Sequence, residues 1–316
     1  MGEGLGGGRR FSLTAGTSAI TLEGVNSSAE PTLSREAYLQ RHLPFNLFAF
    51  LVDAGGYWLG MSLLSSQTIL PFFVKELGGS DLLVGVIPSL TSLYLLPQLF
   101  AAQMTERRVI QSKTVLGIAF LERFYLGMLA VVAYFLAKPS PGLTIFCLFL
   151  LLGLNALTMG VNMPGYATML TKTIPANKRG RLWGIAGGIG GIIALGGAKV
   201  SAWLLQTYGM PLGFTYCFLL GFVILMVTVV PLGFVREPEA LHRPDPLPLK
   251  VFWSESWALL RKSRGFFRLI AAESLFSVPW IAPAFYTAYA KDHFHATYAA
   301  LGQFTMMQIA ASVVQA

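Results

Sequence analysis

Charged residues are scarce in this chain: of its 316 residues only 12% are Asp, Glu, Lys or Arg, whereas 54% are hydrophobic. A soluble domain of this composition would lack the polar surface needed to cover it. Cysteine is nearly absent. Cys147 and Cys217 both fall in apolar stretches, where a thiol is usually a small packing group, so they predict neither a disulfide nor a metal site. The composition indicates a protein whose solvent is lipid.

Several functional signals are also missing. Residues 1–44 contain no continuous apolar region, so they predict a disordered cytoplasmic arm and not a signal peptide. The loops contain no Gly-x-x-x-x-Gly-Lys, which argues against an ATPase. The four histidines lack metal spacing, and no nucleophile is paired with a base inside an apolar stretch, as an intramembrane enzyme requires. We therefore expect no metal, no cofactor and no enzymatic activity.

What the chain has in abundance is long apolar runs. A bilayer core of about 30 Å requires roughly 20 apolar residues to cross as a helix. Seven stretches satisfy this, at 45–70, 82–103, 114–137, 143–165, 182–206, 212–235 and 267–290, and an eighth begins near Tyr298. They are called spans 1 to 8 below. The prediction is an all-α, polytopic membrane helical bundle with seven complete transmembrane helices and a partial eighth.

The basic residues of the loops are sorted by side. Eighteen Lys and Arg lie in the arm, in the loops after spans 2, 4 and 6 and, as Arg268, at the very start of span 7, whereas the other loops contain only Lys75, Lys138 and Lys291. This distribution accounts for the net charge of +8 without a nucleic-acid partner. The positive-inside rule places the arm and the basic loops in the cytoplasm. We predict an integral protein of the cell (inner) membrane.

The spans suggest two unequal parts. Residues 45–235 form a six-helix bundle, residues 236–266 a cytoplasmic linker, and residues 267–316 the start of a second bundle. Within the linker, Phe252, Trp253, Trp257 and Leu260 share one helical face, which favours an amphipathic surface helix over an exposed linker. A weak repeat relates Lys75-Glu76 after span 1 to Lys291-Asp292 after span 7, as expected if the second bundle repeats the first.

Two cytoplasmic loops carry a family resemblance. The loop after span 2 contains Glu106 and Arg107 at the acidic and basic positions of the motif G-x-x-x-[DE]-[RK]-x-G-x-[RK]-[RK], although Ala102 and Val109 replace its glycines. The loop after span 4 reads IPANKRGRLWG. On these residues, residues 45 to 316 resemble the major facilitator superfamily. The resemblance implies a cytoplasmic latch in which Glu106 and Arg107 act with Arg179 or Arg181; ordinary positive-inside charge is the alternative for the bases.

In the resembled fold, spans 1, 4 and 7 line the central cavity. Polar residues form stripes on these spans, and charges inside a membrane usually face a cavity or a partner. We expect proton or cation coupling at Asp53 and Glu273, with anchoring of a helix end as the alternative. Glu122 and Arg123 are assigned a packing or orienting role, and Lys199 is left open. The candidate site residues are Asp53, Tyr57, Gln67, Asn155, Thr158, Asn162, Glu273, Ser277 and Trp280.

Span 5 is rich in glycine. Its small residues form an i, i+4 ladder through Ala186, Gly190, Ala194 and Ala198, which lets helix backbones approach closely. The family's proton antiporters have a glycine-rich signature in this span, but theirs ends in a Gly-Pro pattern that is missing here, so close packing is the better interpretation. The glycines assigned to packing are Gly184, Gly187, Gly188, Gly190, Gly191, Gly196 and Gly197.

The function predicted from the sequence is a secondary active transporter of a small solute that works by alternating access, with proton coupling as an option. Its partners would be the lipid bilayer, the solute and protons. A non-transporting membrane sensor or scaffold is one alternative. Another is an inactive transporter fragment, because only the beginning of a second bundle is present in the 316 residues. The identity of the solute and the direction of transport stay open.

Overall fold

A computed structural model describes residues 35–106, 110–238 and, with internal gaps at 252–253, 255–256, 259–260 and 278–281, residues 251–315. Every regular element in these ranges is helical. The α-helices are α1 (Arg35–Leu63), α2 (Ile69–Glu76), α3 (Asp81–Thr91), α4 (Leu95–Glu106), α5 (Ser112–Leu136), α6 (Pro141–Thr173), α7 (Ala176–Tyr208), α8 (Leu212–Val229), α9 (Arg264–Ser277), α10 (Ala282–Phe294) and α11 (Tyr298–Gln315).

Four of the described helical segments are long and apolar enough to cross a membrane. They are α5, α6, α7 and the segment Leu212–Phe234, in which a 3₁₀ turn at Val230–Phe234 extends α8. The predicted class, an all-α membrane bundle, is confirmed. The number of membrane-crossing helices stays a prediction, as do the domain boundaries. Of the predicted linker helix, Phe252, Trp253 and Leu260 lie outside the described residues, whereas Trp257 is helical and exposed.

The first predicted span is not one continuous helix. α1 begins ten residues before the predicted start and ends at Leu63, and α2 begins at Ile69. Between them, the hydroxyl oxygen of Ser65 accepts hydrogen bonds from the backbone N–H groups of Gln67 and Thr68, at 3.3 and 3.2 Å. A serine side chain that binds nearby backbone donors competes with the helical pattern, so the span bends where its sequence is polar.

The second predicted span is also interrupted, by a 3₁₀ turn at Ser92–Tyr94 between α3 and α4. Pro88 lies just before this turn and removes one backbone donor. The hydroxyl groups of Thr91 and Ser92 both donate to the carbonyl oxygen of Pro88, at 3.0 and 2.9 Å. Two side chains therefore bind this carbonyl in addition to a backbone N–H, where the helical pitch changes.

The end of the six-helix segment is held by polar contacts. The carboxylate of Glu237 accepts hydrogen bonds from the N–H groups of Gln111 and Ser112, with Oε1 at 2.8 and 2.6 Å. A carboxylate at a helix N-terminus satisfies unpaired donors and favours the helix dipole. The side-chain amide of Asn46 in α1 both donates to the carbonyl oxygen of Arg236 and accepts from its N–H. These contacts fix the start of α5 and the end of the α8 segment beside α1.

The apolar core forms two clusters. One lies toward the α2 end of the bundle and includes Phe73, Phe214 and Phe218. The other lies toward the start of α1 and includes Phe50 and Met169. α5 contributes to both clusters, and the buried residues between its two contributions are Glu122 and Arg123. The fold therefore leaves a polar layer between two apolar layers.

Candidate functional site

A buried ion pair occupies this polar layer. Arg123 Nη2 on α5 lies 2.8 Å from Asp53 Oδ1 on α1, and the two side chains are 5% and 8% exposed. Arg123 is halfway along α5, a helix of 25 residues, so a membrane crossed by α5 would hold the pair near its midplane. Neither α1 nor α5 ends near these charges.

A second carboxylate adjoins the pair. Glu122 precedes Arg123 on α5 and is buried, and Asn162 on α6 is buried close to its carboxyl group. Asn155, two turns earlier on α6, donates to the backbone carbonyl of Glu122 at 2.9 Å. Arg123 Nη1 donates to the carbonyl of Ala119 at 3.4 Å. α6 therefore holds the Glu122 region of α5 through the side-chain amide of Asn155.

Two atoms of this cluster have no hydrogen-bond partner among the described residues. Arg123 Nε is a donor and Asn162 Oδ1 is an acceptor, and both are buried. Buried polar atoms of this kind are rare, and each requires an explanation such as an absent ligand or water. Both residues line the same cavity, so the two unsatisfied atoms belong to residues of its wall.

The cavity has a volume of about 200 Å³ and is lined by residues of α1, α5, α6, the N-terminal part of α7 and the 3₁₀ turn after α8. Its walls are mainly aromatic and apolar, and they include three charged side chains. The lining residues are Asp53, Ala54, Tyr57, Trp58, Ala119, Glu122, Arg123, Met159, Asn162, Met163, Tyr166, Trp183 and Leu232. Such a space, largely apolar with a few convergent polar groups, is typical of a small-molecule site.

The opposite end of the bundle is tied by exposed and half-buried ion pairs. Lys75 Nζ lies 2.5 Å from Asp292 Oδ2 and 2.6 Å from Asp81 Oδ1, and Lys291 Nζ lies 2.6 Å from Glu76 Oε1. Partial burial alone would lower the pKa of Lys75, but its hydrogen bonds to Asp292 and Asp81 outweigh that effect and raise the pKa above its ordinary value. Lys75 therefore stays charged at neutral pH, and its contacts with Asp292 and Asp81 weaken as the pH rises through its raised pKa.

The sequence profile of the Major Facilitator Superfamily matches residues 47–316, most of the chain. The chain belongs to the major facilitator superfamily. Its members are membrane transporters and not enzymes, so the buried charges and the apolar helices belong to a transporter that acts on a small solute in a lipid environment. A search of curated proteins found no significant match.

Three of the residues predicted for the site of this superfamily member line the cavity: Asp53, Tyr57 and Asn162. Asn155 is not among the lining residues, but its side-chain amide donates to the backbone carbonyl of Glu122, which is one of them. Thr158 donates to the carbonyl of Leu154 on its own helix, at 2.8 Å. The polar stripe on α6 is thus divided between the cavity and the helix backbone.

Gln67 lies elsewhere, at the break between α1 and α2. Its carbonyl accepts a hydrogen bond from Thr287 at 3.0 Å. Its side chain lines a second cavity of about 150 Å³, together with Trp58, Thr305 and Gln308. The adjacent hydroxyl of Thr305 donates to Thr68 Oγ1 at 2.8 Å, so this region connects α11 to the helix break.

The predicted residues of span 7 do not reach the Asp53 cavity. Glu273 is exposed on α9 and does not line it. Ser277 belongs to α9, but its side chain is not described, and Trp280 lies outside the described residues. A role for these three residues stays a prediction.

Sequence reasoning gave Glu122 and Arg123 only a packing or orienting role, and it did not select Trp58, Tyr166 or Trp183. The available signal was charge: two opposite charges in the middle of span 3 require a partner or a cavity, and Asp53 in span 1 was a candidate. The aromatic residues gave no such signal, because large apolar side chains occur throughout the chain.

Only part of the predicted cytoplasmic latch lies within the described residues. Arg179 donates to the carbonyl oxygens of Ile174 and Thr171, at 3.0 and 2.9 Å, and so caps the end of α6. Arg181 is exposed. The side chain of Glu106 and all of Arg107 lie outside the described residues, so their pairing with Arg179 or Arg181 stays a prediction.

The glycines of α7 differ in their surroundings. Gly190 and Gly197 lie against α1, where an added Cβ would clash with Trp58 and Ser62 respectively. Gly191 is buried and Gly187 is half-buried. In contrast, an added Cβ would meet nothing within 4 Å at Gly184, Gly188 and Gly196. Close approach to α1 therefore uses particular glycines of the ladder and not the whole set.

Proposed function

We propose that this superfamily member is a secondary active transporter that moves a small solute by alternating access, with Asp53 as the coupling carboxylate. The observation that carries the proposal is the Asp53–Arg123 pair in the wall of the 200 Å³ cavity. A solute in the cavity and a proton on Asp53 would therefore interact with the same charged groups. Glu273, the other predicted coupling residue, is a second candidate.

The free energy of burying the pair indicates a role in transport more than a role in stability. A charge at the centre of a membrane helix costs roughly 2.5 to 3.5 kcal/mol on insertion scales, and a buried ion pair often contributes no more than well-packed apolar residues would. The pair therefore has little value as a structural element. Its value for transport is that a proton on Asp53 would remove one charge, release Arg123, and change how the cavity binds a solute.

Alternating access is supported by the difference between the two ends of the bundle. At one end, Lys75 and Glu76 are paired with Asp292 and Lys291 across the part of the molecule where α2 meets α10. The Asp53 cavity lies toward the other end, beside Leu232 and Trp183. We infer a state that is closed at the Lys75 end, which the distribution of basic residues places outside, with the N-terminus in the cytoplasm.

The test compares cells that express the full chain, its Asp53→Asn variant and a Glu36→Gln variant. Glu36 is exposed in the first turn of α1, so it is a matched control for loss of one carboxylate. Untargeted mass spectrometry of cell contents and medium should reveal a solute whose distribution changes with the parent chain and with Glu36→Gln. That change should vanish with Asp53→Asn and on addition of a protonophore.

Three results would separate the alternatives. A sensor or scaffold would leave all solute distributions unchanged. Full activity of Asp53→Asn at every pH would remove this carboxylate from the mechanism. If Glu273→Gln alone abolishes accumulation but leaves downhill exchange intact, the coupling role passes from Asp53 to Glu273.

A further inference from the structure

We propose that the Asp53 cavity binds a small organic cation, an amine attached to about one ring, with Glu122 as the counter-charge of its ammonium group. This inference rests on the proposed transport function, because it names the class of solute for the same site. It is carried by the charges, walls, size and unsatisfied polar atoms of the cavity.

The charges of the cavity do not balance. Its charged lining residues are Asp53, Glu122 and Arg123, so two carboxylates face one guanidinium group. Arg123 makes its direct ion pair with Asp53, at 2.8 Å, which leaves Glu122 as the surplus negative group. Among the described lining residues no other basic side chain is present. In a medium of low dielectric constant a surplus charge attracts an opposite charge strongly, so the cavity favours a cation over a neutral molecule or an anion.

The walls of the cavity suit an organic cation more than a hydrated metal ion. Tyr57, Trp58, Tyr166 and Trp183 supply aromatic faces, and ring faces attract ammonium groups through their quadrupole. Met159 and Met163 add polarizable thioethers, which adapt to the shape of an apolar ligand. A metal ion would instead require several oxygen ligands and would gain nothing from these rings.

The cavity volume limits the ligand to about one ring with a short substituent. Its volume is about 200 Å³, and an apolar cavity of roughly 150 Å³ is sufficient for benzene. The unpartnered Asn162 Oδ1 is an acceptor for an ammonium N–H. The unpartnered Arg123 Nε–H can bind a hydroxyl group or a water that enters with the ligand.

Three soluble probes of nearly equal size test the charge preference: benzylamine as the cation, benzyl alcohol as the neutral molecule and benzoate as the anion. Binding to the purified full chain at pH 7 is followed by calorimetry and by tryptophan fluorescence. We expect benzylamine to bind at least about tenfold more tightly than the other two probes. Glu122→Gln should weaken benzylamine binding by about tenfold or more, whereas the exposed Glu36→Gln should leave it unchanged.

Equal or tighter binding of benzoate or benzyl alcohol would overturn the inference, as would unchanged benzylamine binding in Glu122→Gln or no binding of any probe. If Glu122→Gln does not fold, the comparison of the three probes on the parent chain still decides. Benzylamine binding without any flux in liposomes would contradict the proposed transport function alone. Transport of an anionic or neutral solute without benzylamine binding would contradict only the cation preference.

Discussion

Lys75 and Asp292 are 217 positions apart in the chain, and their charged atoms are 2.5 Å apart. The neighbouring residues form the reverse pair, in which Lys291 binds Glu76. The weak sequence repeat between Lys75-Glu76 and Lys291-Asp292 thus becomes a reciprocal contact, since each base of one copy binds the acid of the other. This relationship follows naturally if two related segments face each other across a pseudo-two-fold axis.

The first prediction concerns this reciprocal contact. Glu76→Lys and Lys291→Glu each place like charges together, and the double variant restores the opposite signs. Because both side chains are partly exposed, we expect each single variant to cost about 0.2 to 1 kcal/mol. Hydrogen exchange in peptides from α2 and α10 should accelerate by up to about fivefold in the single variants and return toward the parent rate in the double variant.

Lys138→Glu is the control for this experiment, because Lys138 is exposed and belongs to the same predicted side of the membrane. It should leave the exchange of α2 and α10 unchanged. A double variant that exchanges as fast as the single variants would show that the reciprocal pairs do not hold this end closed.

The second prediction concerns orientation in the membrane. Lys138 and Lys178 are exposed near opposite ends of α6, and the distribution of basic residues places Lys178 in the cytoplasm. An impermeant maleimide added to whole cells should label Lys138→Cys and not Lys178→Cys. The parent chain measures background from Cys147, which is half-buried, and Cys217, which is buried. Labelling of Lys178→Cys alone would reverse the predicted topology.

The sequence was sufficient to predict the helical class because long apolar runs have few structural solutions in lipid. It was not sufficient to predict the helix breaks, since the hydroxyl of Ser65 and the carbonyl of Pro88 act through contacts that hydropathy does not measure. A hydropathy profile shows both regions only as parts of longer apolar runs.

The same limit applies to the site. Periodicity predicts which residues share a face of one helix, and it grouped Asp53 with Tyr57 correctly. It does not predict which helices face each other. The pairing of Asp53 with Arg123 depends on α1 lying near α5, and the exposed position of Glu273 depends on the placement of α9. Long-range geometry of this kind decides which charges become a pair.

The third prediction tests the energetic role of the Asp53–Arg123 pair. Removal of one partner leaves the other charge buried, so Asp53→Asn and Arg123→Gln should each destabilise the protein by about 3 to 5 kcal/mol. The double variant leaves no unpaired charge from this pair and should be more stable than either single variant. Unfolding in detergent, followed by circular dichroism, measures the three changes. If the two single losses simply add in the double variant, the two residues are not energetically coupled.

The last prediction uses two glycines on the same helix that differ in what lies beside them. A Cβ added at Gly190 would be 2.7 Å from Cδ1 and 3.0 Å from Cγ of Trp58, whereas one added at Gly188 would meet nothing within 4 Å. Gly190→Ala therefore forces Trp58 to move and should cost about 1 to 3 kcal/mol. Gly188→Ala should be neutral or stabilising by up to about 1 kcal/mol, because alanine favours a helix more than glycine does.

Unfolding in detergent measures the stability of both variants, and tryptophan fluorescence reports the local change. Because Trp58 also lines the Asp53 cavity, its displacement in Gly190→Ala should reduce benzylamine binding as well as stability. Gly188→Ala should reduce neither benzylamine binding nor stability. Equal stability of the two variants would mean that α7 and α1 do not depend on close approach at Gly190, and normal benzylamine binding in Gly190→Ala would separate the packing of Trp58 from its role in the cavity wall.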